Sequence, residues 1–348
     1  MSNHIDHIEI TNFKSIRHAK IEGCKRINVF IGYPNVGKSN ILEALGLFSL
    51  PYLKLIGSKK ITEFIRLKNL PELFFNADIR NSIELKINHS EAYFKATYSE
   101  ESSYPLECIF SFIDDNSRST IKDAIKIYAN HDLNARIENL SESVNDIFTT
   151  KKYAFSLDKA KQVKRQFDFL LPPNGNNLFD IINTNKELRE FIQKQLERVK
   201  SEYIYDRGEN VGRIYKRISH DQVYSLPYNS LADTLQRLIF YKAAISNNRD
   251  SVILFEEPEA HMFPPYISKF VWDVINNKTN GNQYFIATHS PFVINDLLED
   301  VREDLSVYAV GYSKGQTTIK LITEEELQEI YQYGIDLFFN LEDYLENA

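Results

Sequence analysis

The stretch that decides the fold of this chain is Gly32-Tyr33-Pro34-Asn35-Val36-Gly37-Lys38-Ser39. It matches the pattern G-x-x-x-x-G-K-[ST] in full, in which glycines turn backbone N–H groups toward an anion and the following helix directs its positive end there. In such a loop Lys38 reaches the β- and γ-phosphates of a nucleotide, and the Ser39 hydroxyl holds Mg²⁺. We therefore predict a phosphate-binding loop, whose nucleotide-contacting residues are Gly32, Asn35, Gly37, Lys38, Ser39 and the adjoining Asn40.

The flanking residues supply the strand and the helix that this motif requires. Ile27, Val29 and Ile31 alternate with other residues directly before the loop, which is the period of a β-strand. After the loop, apolar residues recur at helical spacing, at Ile41, Leu42, Leu45 and Phe48. This context favours a phosphate loop over the alternative of an ordinary glycine-rich turn with a solvated lysine.

Composition limits the class of protein. The 348 residues are 43% hydrophobic and 13% aromatic, which is typical of a folded globular chain. The formal net charge of -7 excludes a global attraction to nucleic acid, so any DNA contact must be local. Cys24 and Cys108 lack metal-ligand spacing, no signal pattern opens the chain, and no apolar run reaches the roughly 20 residues of a membrane span. We expect a cytoplasmic protein without a membrane partner.

An apolar strand ending in two carboxylates lies in the last third of the chain. The strand, Val252 to Phe255, is followed by Glu256 and Glu257. Adjacent residues at a strand end point in different directions, so one carboxylate can serve Mg²⁺ while the other polarises a water. We assign Glu256 to the metal and Glu257 to the water; the alternative is an acidic loop that follows a buried strand.

A histidine follows the next predicted strand. Helical spacing from Ile267 to Ile275 separates the acidic strand from a strand at Tyr284 to Thr288, so the segment reads as a βαβ unit with parallel pairing. Ligands of such sheets gather at the carboxyl ends of the strands. We therefore predict that His289 donates a hydrogen bond to the γ-phosphate, although a lone histidine usually carries little information.

The absence of two GTPase motifs indicates which nucleotide base is bound. The loop also resembles that of translation-factor GTPases, which need an Asp-x-x-Gly switch and an Asn-Lys-x-Asp base-reading element. Neither string occurs, and the stretch from Asn185 to Leu188 lacks the aspartate that pairs with guanine. We expect ATP rather than GTP.

Four strings together resemble one known family. They are Asn12-Phe13-Lys14-Ser15, the loop with Asn40-Ile41-Leu42-Glu43-Ala44-Leu45, Glu256-Glu257-Pro258-Glu259 and Thr288-His289-Ser290-Pro291. In this order they look like the ABC-type AAA ATPases of the SMC, RecF and OLD branch, with a weaker likeness at 171–178. The resemblance implies an α/β P-loop NTPase head with a mixed central sheet and an inserted, mainly helical arm. The more polar and charged composition of the middle segment suggests an N-terminal lobe over 1–115, the arm over 116–220 and a C-terminal lobe over 221–348.

The resemblance further implies an ATP sandwich, in which a signature segment of one subunit touches the nucleotide of another. The candidate segment runs from Ser230 to Arg237 and departs from the family's Ser-x-Gly core. Ser230 and Asp233 form an S-x-x-D pattern that predicts a capped helix N-terminus suited to a phosphate. We predict a homodimer or larger homo-oligomer on this basis; a plain capped helix is the alternative.

Three functions compete for such an ATPase. The first is a nucleotide-gated switch that controls a separately encoded effector, as the resemblance to OLD-like ATPases without a nuclease domain and to the ATPase subunits of the anti-phage systems PARIS and Septu implies. Only 58 residues follow Ser290, too few for an OLD nuclease domain, so we expect nuclease or toxin activity in a partner.

The second function is a RecF-like repair ATPase that binds DNA. A basic stretch, which we read as a solvated face, is its best sequence support: Lys151, Lys152, Lys159, Lys161, Lys164 and Arg165. The third function is a scaffold that binds ATP without turnover.

Overall fold

The computed structural model of the protein describes residues 4–88, 92–113, 121–139, 149–156, 167–206, 208–209 and 211–345. Contacts divide the chain into two units. The first consists of Met1–Lys152, Asp250–Glu257 and Gly281–Ala348, and the second of Tyr153–Arg249 and Pro258–Asn280. The phosphate loop, the two strand-end carboxylates and the histidine all belong to the first unit.

A six-stranded mixed sheet carries these motifs. Its strands, in spatial order, are β16 (Gln316–Leu321), β15 (Leu305–Ser313), β3 (Ile27–Gly32), β14 (Gln283–Ala287), β13 (Val252–Glu256) and β9 (Thr150–Tyr153). Neighbours from β15 to β13 are parallel, and β16 is antiparallel to β15. Every residue of β3 and β14 is buried, as expected for central strands covered on both faces. The predicted parallel pairing of the two C-terminal strands is confirmed.

Aromatic packing and one helix hold this sheet together. The rings of Phe285, Phe30 and Tyr308 stack across three adjacent strands, with centroid separations of 6.3 and 5.2 Å. Helix α1 (Lys38–Gly46), which the apolar spacing after the loop predicted, packs against β13 and β14. The loop is therefore fixed at both ends by buried elements.

A seven-stranded antiparallel sheet completes most of the first unit. Its strands, in spatial order, are β2 (Ile16–Ile21), β1 (Ile8–Phe13), β4 (Ile83–Ile87), β5 (Ala92–Tyr98), β6 (Leu106–Ile113), β7 (Ile121–Ala129) and β8 (Ala135–Asn139). Phe94 and Phe110 pack edge to face on it at 5.0 Å, and Phe48 packs on both. The remaining α-helices described in this unit are α2 (Leu53–Ile56), α7 (Pro291–Asp300), α8 (Glu324–Tyr333) and α9 (Leu341–Leu345).

The second unit contains a small sheet and four described α-helices. Its antiparallel strands are β10 (Ser201–Asp206), β11 (Val211–Arg217) and β12 (Val223–Pro227). Its helices are α3 (Leu178–Thr184), α4 (Lys186–Glu197), α5 (Asp233–Ser246) and α6 (Pro264–Asn276). Helix α4 begins after Asn185, whose side chain accepts a hydrogen bond from the Leu188 amide and caps the helix.

The predicted mainly helical arm over 116–220 is wrong in its secondary structure. The described residues of this range form two α-helices and five strands. Ile125, Ile127 and Ala129 are buried at every second position, which is the period of a strand and not of a helix. The division into three lobes stays a prediction.

The reading of the basic stretch as a solvated face is also wrong where it can be checked. Lys151 and Lys152 lie in β9 and are buried. The Lys151 ammonium donates to the Ser251 hydroxyl at 2.8 Å, and burial lowers the pKa of Lys151 to about 7. The rest of the stretch, 159–165, lies outside the described residues. In the described ranges no helix combines the length and the apolar character needed to cross a membrane.

Candidate nucleotide-binding site

Neighbouring atoms leave no room for a side chain at Gly32 or Gly37, the two glycines of the loop. Gly37 has φ of +107°, and a Cβ there would lie 2.1 Å from Thr317 Oγ1 and 2.8 Å from Ser15 Oγ. A Cβ on Gly32 would lie 2.4 Å from the Val310 carbonyl oxygen. Because side chains at these positions would collide with neighbouring residues, the packing of the folded chain requires glycine at both.

A hydrogen-bond chain clamps the loop from outside. The Thr317 hydroxyl donates to the Val36 carbonyl at 2.8 Å and lies 2.7 Å from the Ser15 hydroxyl. Since Thr317 has one hydroxyl hydrogen, Ser15 is the donor in that pair. The Asn40 amide donates in turn to Ser15 Oγ at 2.7 Å. One amide hydrogen of Asn40 thus supports the loop, and its predicted nucleotide contact stays a prediction.

Thr317→Val is expected to weaken nucleotide binding by about two- to tenfold. The change keeps the shape of the side chain but removes the bond to the loop carbonyl, which is worth roughly 0.5–1.5 kcal/mol. Isothermal titration with ATP·Mg²⁺ measures the affinity. Thr318→Val, one residue along the same strand and on its opposite face, is the control; equal losses in the two variants would refute the clamp.

Lys38 is folded back onto the loop. Its side chain is only 5% exposed, and the ammonium donates to the carbonyls of Gly32 and Tyr33 at 2.8 Å each. Burial lowers the pKa of Lys38 to about 8, and the nearby Glu257 carboxylate opposes this shift. A phosphate oxygen would give this desolvated ammonium the counter-charge that two neutral carbonyls do not supply.

The acidic strand end turns sharply between its two carboxylates. Glu256 pairs in register with Ala287 on β14, and the Glu257 amide donates to the Ala287 carbonyl at 2.8 Å. Glu257 itself has φ of +43°, a region that non-glycine residues rarely adopt. The Glu257 side chain is 49% exposed.

His289 lies beside Glu257. Its Nε2 is 3.5 Å from Glu257 Oε1, and the side chain is 37% exposed. Burial lowers the pKa of His289, the charge of Lys38 lowers it further, and Glu257 opposes both. The structure thus brings together Lys38, Glu257 and His289, which the sequence analysis assigned to the phosphates and the attacking water.

A buried ionic cluster under this site was missed by sequence reasoning. Glu43 is 0% exposed and contacts the Lys14 ammonium, Arg66 Nε at 2.7 Å and Lys152 Nζ at 3.9 Å. Burial alone would raise the pKa of Glu43, but Lys152 and Lys14 outweigh it and hold that pKa below its usual value. Glu43 is therefore a buried carboxylate whose charge depends on its cationic neighbours.

The same cations reach the predicted metal ligand. Arg66 Nη2 lies 2.6 Å from Glu256 Oε1, and Lys152 Nζ lies 3.8 Å from Glu256 Oε2. Lys14 and Glu43 belong to motifs quoted from the sequence, so those strings carried a signal. Arg66 belongs to no motif. Lys152 was grouped with the basic residues that follow it and was therefore interpreted as solvated.

The two predicted Mg²⁺ ligands are of the right chemical type, but Mg²⁺ would compete with Arg66 and Lys152 for the Glu256 carboxylate. A hydroxyl on Ser39 and a carboxylate on Glu256 are the hard oxygen ligands that this ion takes. No cluster of three or more His, Cys, Asp or Glu side chains suited to a metal occurs in the part of the chain that the structure describes.

The predicted capping by Ser230 and Asp233 is wrong. Ser230 ends a short 3₁₀ turn, and α5 begins at Asp233 after Ala232, with no side-chain cap. Asp233 Oδ2 instead accepts from Arg237 Nε at 3.0 Å, so its partner is one turn along the helix. Both residues belong to the second unit, and their contact with nucleotide stays a prediction.

Comparisons with known proteins agree with this geometry. A family model described as "AAA domain, putative AbiEii toxin, Type IV TA system" matches residues 27–295. This span includes the phosphate loop, the acidic strand and the histidine. A protein of Helicobacter pylori named ATP/GTP phosphatase is similar at 23% identity over 402 aligned positions, covering 99% of this chain and 98% of the relative.

Two further similarities are shorter or purely structural. An uncharacterised protein of Methanocaldococcus jannaschii, MJECL10, is 50% identical over 44 residues, which are 13% of this chain and 20% of the relative. The crystal structure of an Smc head bound to the C-winged helix domain of ScpA superposes with a TM-score of 0.53 at 14% identity, covering 94% of this chain and all of that one. The predicted fold class, an α/β P-loop ATPase head with a mixed sheet, is confirmed.

Proposed function

The chain belongs to the AAA-domain family whose model it matches, and from that premise we propose that it hydrolyses ATP with Mg²⁺ to gate a separate effector protein. ATPase activity follows from the family and the fold. The observation that carries the assignment of the site is the meeting of buried Lys38 with Glu257 and His289 at the carboxyl ends of parallel strands.

Each of these side chains has a task in the proposed reaction. Lys38 leaves the loop carbonyls and stabilises negative charge on the β- and γ-phosphates. Glu257 accepts hydrogen from the attacking water and aligns it with the γ-phosphate. His289, held in its neutral form by its lowered pKa, donates a hydrogen bond to the γ-phosphate. Mg²⁺, bound by Ser39 and Glu256, would neutralise charge on the phosphates.

We propose that a second copy of the chain completes the site. Glu257 and His289 are 49% and 37% exposed, whereas an attacking water is best controlled where bulk water is excluded. The segment around Ser230 and Asp233 would cover the nucleotide in trans, as the family resemblance implies. Sedimentation velocity of Glu257→Gln should show a dimer or larger assembly with ATP, and a monomer at all protein concentrations would exclude this proposal.

The effector proposal rests on the resemblance to ATPases that work with a separate nuclease or toxin. The competing DNA-repair function receives no support from Lys151 and Lys152, because both are buried. Co-purification with the product of the adjacent reading frame tests the effector, and an ATP-dependent shift of plain duplex DNA would favour the repair function instead.

Phosphate release from ATP and from GTP tests the reaction itself. The Helicobacter pylori relative is named for both nucleotides, but this chain lacks a guanine-reading motif, so we expect a higher kcat/KM for ATP. Chelation of Mg²⁺ should abolish release. No release above that of Lys38→Ala would refute the assignment.

ATP affinity is expected to fall by about tenfold between pH 7.5 and pH 9. The pKa of Lys38 is about 8 without nucleotide, and the phosphates of ATP must raise it, so binding above pH 8 takes up a proton. Titrations in buffers of different ionisation enthalpy should reveal this uptake at pH 9 and little at pH 7.5. An affinity that is constant over the range would contradict the lowered pKa.

A further inference from the structure

The Glu256 carboxylate, assigned above to the metal, is held by two cationic side chains at once. Arg66 Nη2 lies 2.6 Å from its Oε1, and Lys152 Nζ lies 3.8 Å from its Oε2. Both oxygens of the carboxylate therefore face a cation. A divalent ion that takes one of these oxygens has to displace the cation beside it, and the two cations differ in how easily they can leave.

Lys152 is fixed beside Glu256. Its side chain is only 7% exposed, and the ammonium donates to the Phe64 carbonyl at 3.1 Å. The same ammonium lies 3.9 Å from Glu43 Oε1. Because a buried charge that loses its partners is strongly destabilising, Lys152 stays in place when other groups approach Glu256.

Arg66 has a fixed backbone and an exposed side chain. Its amide donates to Glu43 Oε1 at 3.4 Å, and its carbonyl accepts from the Lys14 ammonium at 2.6 Å. The side chain is 65% exposed and contacts Glu43 through Nε, so only the Nη2 end of the guanidinium is committed to Glu256. Arg66 can therefore release Glu256 into solvent reach without losing its place in the fold.

The charges of the cluster disfavour a metal ion that arrives alone. Three cationic side chains, Lys14, Arg66 and Lys152, face the two carboxylates of Glu43 and Glu256. A divalent ion adds to this positive excess, whereas a triphosphate brings negative charge with the ion. Exchange of Arg66 for a metal on Glu256 is thus favoured only together with a nucleotide.

We propose that Arg66 is a positioning residue that competes with Mg²⁺ for Glu256, and so sets how strongly nucleotide binding depends on the metal. The guanidinium holds Glu256 Oε1 in the empty site and leaves it when Mg²⁺ arrives with the phosphates, while Lys152 stays beside Oε2. This inference rests on the proposed ATP·Mg²⁺ site and adds to it the residue that gates the metal.

The test compares binding of AMP-PNP, a non-hydrolysable analogue of ATP, to the full chain in Mg²⁺ and in EDTA. The ratio of the two dissociation constants measures how much the metal strengthens binding. A change that acts equally in both conditions, such as a general loosening of the site, does not alter this ratio. Arg66→Gln should raise the ratio by about tenfold, because the metal no longer displaces a charge-assisted hydrogen bond.

Arg80→Gln is the matched control, since Arg80 is 85% exposed in the same unit and pairs with Asp78. Its ratio should equal that of the parent. An unchanged or lowered ratio in Arg66→Gln would overturn the inference alone, and so would an equal loss of affinity in Mg²⁺ and in EDTA, which would place Arg66 on the phosphates. A parent that does not bind AMP-PNP would overturn the proposed function as well.

A second measurement uses the parent chain and does not depend on how a variant folds. Electron paramagnetic resonance of Mn²⁺ should show protein-bound metal with AMP-PNP and free metal without it, because Arg66 then retains Glu256. Tight binding of Mn²⁺ to the parent without nucleotide would contradict the competition. Circular dichroism checks that Arg66→Gln and Arg80→Gln are folded.

Discussion

Glu257→Gln is expected to lower the rate of ATP hydrolysis by about 10²- to 10⁴-fold while leaving ATP binding intact. Glutamine keeps the length of the side chain but cannot accept a hydrogen from the attacking water. Because the Glu257 carboxylate also favours the charged form of Lys38, its removal should not make Lys38 bind phosphate more tightly. Steady-state phosphate release measures the rate, and nucleotide retained through gel filtration measures the trapped complex.

Glu299→Gln is the matched control for this experiment. Glu299 is exposed on α7 in the same unit, so the same change there should leave phosphate release unchanged. Release by Glu257→Gln at the parent's rate would remove Glu257 from the reaction. Such a result would leave the family and the fold untouched.

Glu43→Gln is expected to lower the free energy of unfolding by about 3–5 kcal/mol. The change leaves Lys14, Arg66 and Lys152 without their shared buried carboxylate. Uncompensated buried charge is among the most destabilising changes a folded protein can undergo. Urea unfolding followed by circular dichroism measures the loss.

Two further variants show whether charge is the cause. Glu43→Gln combined with Lys152→Met should recover part of the lost free energy, because it removes the most buried of the three cations that lose the Glu43 carboxylate. Glu324→Gln removes a carboxylate that pairs with Lys25 at the surface, where a salt bridge contributes little. A loss of equal size in the two single variants would contradict the role of burial.

A fall in pH should remove the stabilisation that the Glu43 carboxylate contributes to this cluster. Because the cations hold the pKa of Glu43 below its usual value, the stabilisation is present above the unfolded-state pKa and is lost as the pH falls through the folded-state pKa.

The parallel strands of the central sheet and the meeting of Lys38, Glu257 and His289 could be predicted because each depends on local sequence. The loop motif, the apolar strand before Glu256 and the strand before His289 each define their own element, and parallel strands place their carboxyl ends at one edge. No local sequence pattern indicates that Arg66 contacts Glu256 or that Thr317 contacts Val36, because each pair joins segments that are far apart in the sequence. Pairing of that kind becomes visible only in the folded chain.

Two of the three errors of the sequence interpretation, the solvated lysines and the capped helix, have the same physical origin. Lys151 and Lys152 were treated as solvated because lysine is rarely buried, but β9 places them inside the fold, where Ser251 and Glu43 compensate them. The S-x-x-D string at Ser230 suggested a cap from its spacing alone, whereas the backbone starts its helix three residues later. Local patterns failed where tertiary contacts supplied the partner.

The central claim is that one site, built on Lys38, binds the nucleotide that Glu257 helps to cleave. Equilibrium binding of radiolabelled ATP·Mg²⁺ to the parent, Lys38→Ala and Glu257→Gln tests it most directly. We predict that the parent and Glu257→Gln bind ATP, and that Lys38→Ala binds it at least about 100-fold more weakly, since the alanine removes the charge-assisted contacts to the phosphates. Binding of equal strength to Lys38→Ala would contradict the account.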